Sequence, residues 1–139
     1  MVKSTGTCLI SFVTDRFDPA KETPNDINPI AGEALLLWLR EQLREKDHDI
    51  GLPESEDWGW YTYAKNDKAK YLLGASGEPT PSEQDICWIV QIHKKRSLID
   101  KLLGRNILHP KDLFVLDVEQ LLKNESDFRS VVKNMIAAS

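Results

Sequence analysis

The run Ile86-Cys87-Trp88-Ile89-Val90-Gln91-Ile92-His93 does most to limit what this chain can fold into. Read at period two, it puts Ile86, Trp88, Val90 and Ile92 on one face and Cys87, Ile89, Gln91 and His93 on the other. One wholly apolar face requires a sheet with a covering layer on that side. Directly after it the period changes. Ser97 to Leu103 repeats its leucines at helical spacing and stops at Gly104, a residue suited to a left-handed cap. A chain that turns from strand to helix so abruptly belongs to a mixed class.

The remaining segments extend that reading. Thr7–Thr14 is short, rich in β-formers and bounded by polar residues, which predicts a first strand. Asp15–Ile27, with Pro19 and Pro24 and no period, predicts a long loop. Asn28-Pro29 predicts a helix start, with Asn28 as cap and Pro29 at the first position, and the helix should run to about Lys46. Ala31, Leu35, Leu36, Trp38, Leu39 and Leu43 lie on its apolar side, and Gly32 would let a neighbour approach closely. An edge strand is expected around Ile50. Asn66-Asp67 reads as the turn of a hairpin ahead of Lys70–Leu73, and Gly74–Glu83 reads as a second loop. Leu108 to Leu122 is open between one helix and a short strand followed by a helix. Asn124 with Asp127 resembles a capping box, from which a final helix should present Phe128, Val131, Val132, Met135 and Ile136.

This order predicts a single α+β domain over residues 1–139. Its sheet should be antiparallel or mixed, four- to five-stranded, with helices packed mainly on one face. Ile10, Phe12, Leu35, Leu39, Trp60, Trp88, Val90 and the last helix are the expected core. A length of 139 residues suffices for one core, and 41% hydrophobic with 29% charged residues is ordinary for a globular chain. No apolar run reaches bilayer length, and the N-terminal run is too short for a signal peptide, so no membrane and a cytoplasmic location are expected. Cys8 and Cys87 read as free, buried, strand cysteines. A net charge of −4 disfavours nucleic acid as a partner.

The aromatic surface is concentrated in Glu54-Ser55-Glu56-Asp57-Trp58-Gly59-Trp60-Tyr61-Thr62-Tyr63. Read as one strand, it places Trp58, Trp60 and Thr62 on one face, and Gly59, Tyr61 and Tyr63 on the other. Both faces then carry rings, with carboxylates at their mouth. Asn28-Pro29-Ile30-Ala31-Gly32 followed by Glu56-Asp57-Trp58-Gly59-Trp60 resembles a group of small, uncharacterised bacterial proteins. The resemblance implies a small bacterial-type domain and carries no activity with it.

Three functions follow from these residues. The first is an interaction or ligand-binding module, in which Glu54, Glu56, Asp57, Trp58, Trp60, Tyr61 and Tyr63 hold a protein or small molecule by ring contact and charge. The second is a small hydrolase using Glu54, Glu56 or Asp57 as acid and base beside the rings. The third is an anion or nucleic-acid site at Lys94, Lys95 and Arg96, where a basic run opens a helix. His48, His93 and His109 lack metal spacing, and no nucleophile, base and oxyanion donor come together in sequence, so no catalytic residue, metal or cofactor is expected.

Overall fold

A computed structural model describes residues 5–24, 27, 29–82 and 84–137. Among these, seven strands form one antiparallel sheet, two more than the largest number expected from sequence. They are β1 (Thr5–Thr14), β2 (Asp49–Ile50), β3 (Glu54–Glu56), β4 (Gly59–Lys65), β5 (Lys70–Pro79), β6 (Ile86–Lys94) and β7 (Arg129–Ala137). The spatial order is β2-β4-β5-β6-β1-β7, and β3 pairs with β4 beyond the end of β2. Three helices complete the fold: α1 (Glu33–Arg44), α2 (Leu98–Leu103) and α3 (Leu113–Asn124). The α+β class with an antiparallel sheet is therefore established.

The buried strand residues alternate. Cys8, Ile10 and Phe12 of β1, Trp88, Val90 and Ile92 of β6, Tyr71, Leu73 and Ala75 of β5, and Trp60, Thr62 and Ala64 of β4 are all buried. Leu35, Leu36, Leu39 and Leu43 of α1 and Phe114, Val115, Val118 and Leu122 of α3 join them in one cluster. A wedge of rings closes one end of it, with Phe17 edge-on to Trp88 at 5.6 Å and Phe128 at 4.7 Å from Phe12. Every core residue named singly from the sequence is buried, and of those assigned to a last helix Phe128 is buried while Val131 and Met135 pack against the core.

That last helix does not exist. Residues 129–137 form β7, which pairs along β1 from Thr5↔Ala137 to Val13↔Arg129 with two register shifts. The apolar spacing admits both periods, because Val131 and Met135 pack on the core while Val132 and Ile136 are exposed at the alternate positions. Tertiary context decides. Without β7 the main-chain groups along one whole side of β1 would be left unpaired. The left-handed φ of 57° at Ser130 lies by the second shift, where a bulge takes up the extra residue. Asp127 does not cap a helix but receives the Arg16 side chain, Nε to Oδ2 at 2.9 Å.

Other boundaries also move. Helix α1 starts at Glu33 with Gly32 as its cap, not at Pro29; Asn28, the expected cap, lies outside the described residues. The cap's work falls to Glu22, whose carboxylate accepts from the amides of Gly32 at 3.0 Å and Ala34 at 2.9 Å. A Cβ on Gly32 would lie 2.3 Å from the Ala75 carbonyl oxygen, so the expected close approach is real. The stretch read as a loop from Gly74 is strand as far as Pro79, and Leu113 to Asn124 is one helix.

Candidate functional site

The aromatic stretch is a hairpin and not a single strand. Glu54, Ser55 and Glu56 of β3 face Tyr61, Trp60 and Gly59 of β4, and Asp57 and Trp58 make the turn. The turn breaks the period, so the rings sort differently from the one-strand reading. Trp60 is buried, and its indole N–H donates to the Ile30 carbonyl at 3.1 Å. Trp58 instead lies over Gly74, where a Cβ would come within 2.6 Å of the indole. It therefore shares a surface with Tyr61 and Tyr63. Trp58 and Tyr61 have ring centroids 6.5 Å apart, and Tyr61 and Tyr63 meet edge-on at 5.7 Å. Tyr63 is 60% exposed.

Directly opposite residues of an antiparallel pair project from the same side of a sheet. Glu54, facing Tyr61, and Glu56, facing Gly59, thus belong to the side that carries the ring row. The Tyr61 phenol is accordingly pushed up, first by the Glu54 charge and then by desolvation, Tyr63 and Glu56. The fold brings Glu54, Glu56, Trp58, Tyr61 and Tyr63 together, with Asp57 at the turn, and assigns Trp60 to the core.

The ring row leads into a groove of about 640 Å³ lined by Tyr63, Leu72, His93, Lys65, Lys70, Lys94 and Lys95, among others. The register Asp49↔Lys65↔Lys70 and the Lys95 amide bonded to the Lys70 carbonyl at 2.8 Å bring these lysines to one end of the sheet. Lys94 is held by Asp112 at 3.3 Å. Asp112 also accepts from the Tyr71 hydroxyl at 2.9 Å and from the Phe114 amide at the start of α3. Burial, followed by that hydrogen bond, drives the Tyr71 phenol well above its usual range. Lys65 lies 3.7 Å from Asp49, and among the described residues no ion pair engages Lys70 or Lys95. Arg96 turns away from the groove. Its guanidinium donates to the carbonyls of Arg105 at 2.9 Å and Asp100 at 3.1 Å, at the end of α2.

His93 sits in the same row as Tyr63 and Leu72, with Nδ1 at 2.9 Å from Thr7 Oγ1 and Nε2 at 3.0 Å from Gln91 Oε1. Burial lowers its pKa, which favours the neutral ring. His48 is buried at 2.7 Å from Asp117 and edge-on to Phe114, contacts that fix the ring within the core. Burial also pushes the Cys8 thiol up to about 11, which keeps it protonated and unreactive. Among the described residues, no group of three or more His, Cys, Asp or Glu side chains is placed to hold a metal ion. No described helix is long and apolar enough to cross a membrane.

Sequence reasoning missed Lys65, Lys70 and Leu72. The signal was present, since a tight turn at Asn66-Asp67 puts Lys65 and Lys70 opposite each other and hence on one side. Comparison with protein-family models, with curated proteins and with solved structures gives no match.

Proposed function

We propose that this chain is a binding module that holds an extended partner along the sheet surface bearing Trp58, Tyr61 and Tyr63. The carrying observation is that ring row itself, which runs from carboxylates to lysines: Glu54 and Glu56 flank one end, and Lys65, Lys70 and Lys95 the other. From the Glu56↔Gly59 pair to Lys65 is six residues of strand, roughly 20 Å at ~3.3 Å per residue. A partner of that length with a cation at one end and an anion at the other would match both charges, its middle lying against rings. Cation–π attraction adds to the carboxylates at the acidic end. In this reading α1 and α3 cover the opposite side of the sheet, and the module works as a single domain in a bacterial cytoplasm.

Catalysis by Glu54, Glu56 or Asp57 has less support, because both nitrogens of His93, the histidine of this surface, are already engaged by Thr7 and Gln91. An anion site at the groove alone is the second reading, favoured by Lys70 and Lys95. The test is titration with an extended peptide carrying arginines at one end and glutamates at the other, read by isothermal titration calorimetry. Trp58→Ala and Tyr63→Ala should each weaken binding by roughly tenfold. Glu54→Gln with Glu56→Gln should weaken it further. Binding of an all-acidic peptide that ignores the glutamates but is lost with Lys70→Ala and Lys95→Ala would replace this reading by the anion site.

A further inference from the structure

Helix α2 departs from the burial logic of the rest of the fold. It is six residues long, Leu98-Ile99-Asp100-Lys101-Leu102-Leu103, and none of its residues is buried. Leu98 is 73% exposed, Ile99 58%, Leu102 75% and Leu103 64%, so four of the twelve exposed large hydrophobics among the described residues fall in this one turn and a half. At ~100° per residue, these four side chains span roughly 140° of the helix surface and form a continuous apolar face. A helix so short does not hold itself together by propensity. Its ends are fixed instead, by the reciprocal Ser97–Asp100 capping box and by Gly104 in the left-handed conformation at φ 67°. The Arg96 guanidinium bonds the Arg105 carbonyl at 2.9 Å and so ties the two ends of the segment together. The fold thus holds an apolar nub rigidly in water.

The charge around the nub is equally distinct. Residues Lys94 to Lys111 contain six cations, Lys94, Lys95, Arg96, Lys101, Arg105 and Lys111, against the single carboxylate of Asp100, a net +5. The whole chain is −4, so everything outside this segment sums to −9. The carboxylates facing the segment are accounted for: Asp100 pairs with Arg105 at 3.6 Å, and Asp112 is taken by Lys94 and Tyr71. Lys101 and Lys111 enter no ion pair among the described residues.

We infer that α2 is a docking element for the surface of an anionic lipid bilayer. An exposed apolar helix face within a cation-rich segment of an acidic protein matches the interface of such a membrane in both respects. Apolar side chains enter the boundary between headgroups and acyl chains, while lysines and arginines meet the negative surface potential. The acidic remainder of the protein would be repelled by the same surface, which orients the domain with α2 down. Such contact involves no spanning segment, so it does not conflict with the lack of a bilayer-length helix among the described residues. None of the four α2 side chains belongs to the ring row, whose groove shares only Lys94 and Lys95 with this segment.

Flotation of the full chain with vesicles tests this, using phosphatidylcholine alone and phosphatidylcholine mixed with phosphatidylserine. Wild type should float with the mixed vesicles at low salt, and less as salt rises. Withdrawing a leucine from water is worth roughly tenfold in partitioning, so Leu98→Ser with Leu102→Ser should reduce flotation by at least that factor. Both residues are exposed, so the variant should melt with the wild-type protein. Lys101→Glu with Lys111→Glu should remove the preference for phosphatidylserine. Failure of wild type to float with anionic vesicles at low salt would overturn the inference, as would flotation unchanged in the leucine variant. Self-association without flotation, abolished by the same leucine changes, would assign the nub to a second copy of the chain and also overturn it.

Discussion

Replacing Trp88 examines the core and the sheet together. The side chain is fully buried at the middle of β6, with Phe17 edge-on to it and its ring laid over Gly77, its partner on β5. The ring fills the space a side chain at residue 77 would need, since a Cβ there would lie 2.7 Å from Cζ3. Trp88→Ala empties that space and should cost ~3–5 kcal/mol, a large fraction of the ~5–15 kcal/mol that holds a typical domain folded. The indole N–H, however, finds no hydrogen-bond acceptor among the described residues. A buried unpaired donor costs ~1–3 kcal/mol, so Trp88→Phe trades lost volume against relief of that donor. The net change should stay within ~1.5 kcal/mol of wild type. Urea melts followed by far-UV circular dichroism measure both. A loss below ~1 kcal/mol for Trp88→Ala would mean that β6 presents its other face to the core, and equal losses for the two variants would mean that the donor is satisfied.

Three further outcomes are expected. Gly32→Ala should destabilise by ~1–3 kcal/mol in the same melts, because the new methyl meets the Ala75 backbone carbonyl and not a side chain that could move aside; a neutral effect would refute the contact between α1 and β5. Burial lowers the His93 pKa below its ordinary 6.5, so the unfolded chain takes up the proton first as pH falls. The stability associated with that shift is whole above pH 6.5 and is lost as pH drops through the lower folded value, and a His93→Gln variant should show a shallower decline over that window. Arg16 lies over the Phe128 ring at 4.5 Å and donates to Asp127, so Arg16→Ala should loosen the start of β7 and speed amide exchange at its first residues; exchange unchanged there would show that the pairing with β1 alone holds the strand.

How much could be read from the sequence depended on whether neighbours in the chain settled the question. Strand β6 and helix α2 were legible because their signals are local: an unbroken alternation from Ile86 to His93, and leucines at helical spacing from Ser97 to Leu103 that stop at Gly104. Strand β7 was not, because Val131, Val132, Met135 and Ile136 satisfy helical and extended spacing alike, and only β1 beside them selects one. The start of α1 failed for a related reason. Its cap is a carboxylate ten residues upstream, Glu22, and no reading of Asn28 and Pro29 contains it. In the candidate site, the acidic and aromatic residue types were visible, but the turn at Asp57-Trp58 was taken for strand. One misplaced turn changed which face Trp58 was assigned to, since a shift of one residue exchanges the faces of a strand. At the lysine end Lys94 and Lys95 were singled out, but Lys65 and Lys70 were not, because register across three strands brings them beside Lys95.

The hairpin divides its two tryptophans, placing Trp58 on an accessible, acidic ring row and Trp60 in the core. Quenching of tryptophan fluorescence in Trp58→Phe and Trp60→Phe variants tests this division most directly. With Trp60 replaced, Trp58 should be quenched readily by acrylamide, and more by caesium than by iodide, because Glu54 and Glu56 lie on its side of the sheet. With Trp58 replaced, the accessible fraction should fall to the share of the half-buried Trp38, Trp60 being only 4% exposed and Trp88 fully buried. Equal protection of the two variants would contradict the account, since it would make the hairpin core on both faces and leave no ring row for a partner to occupy.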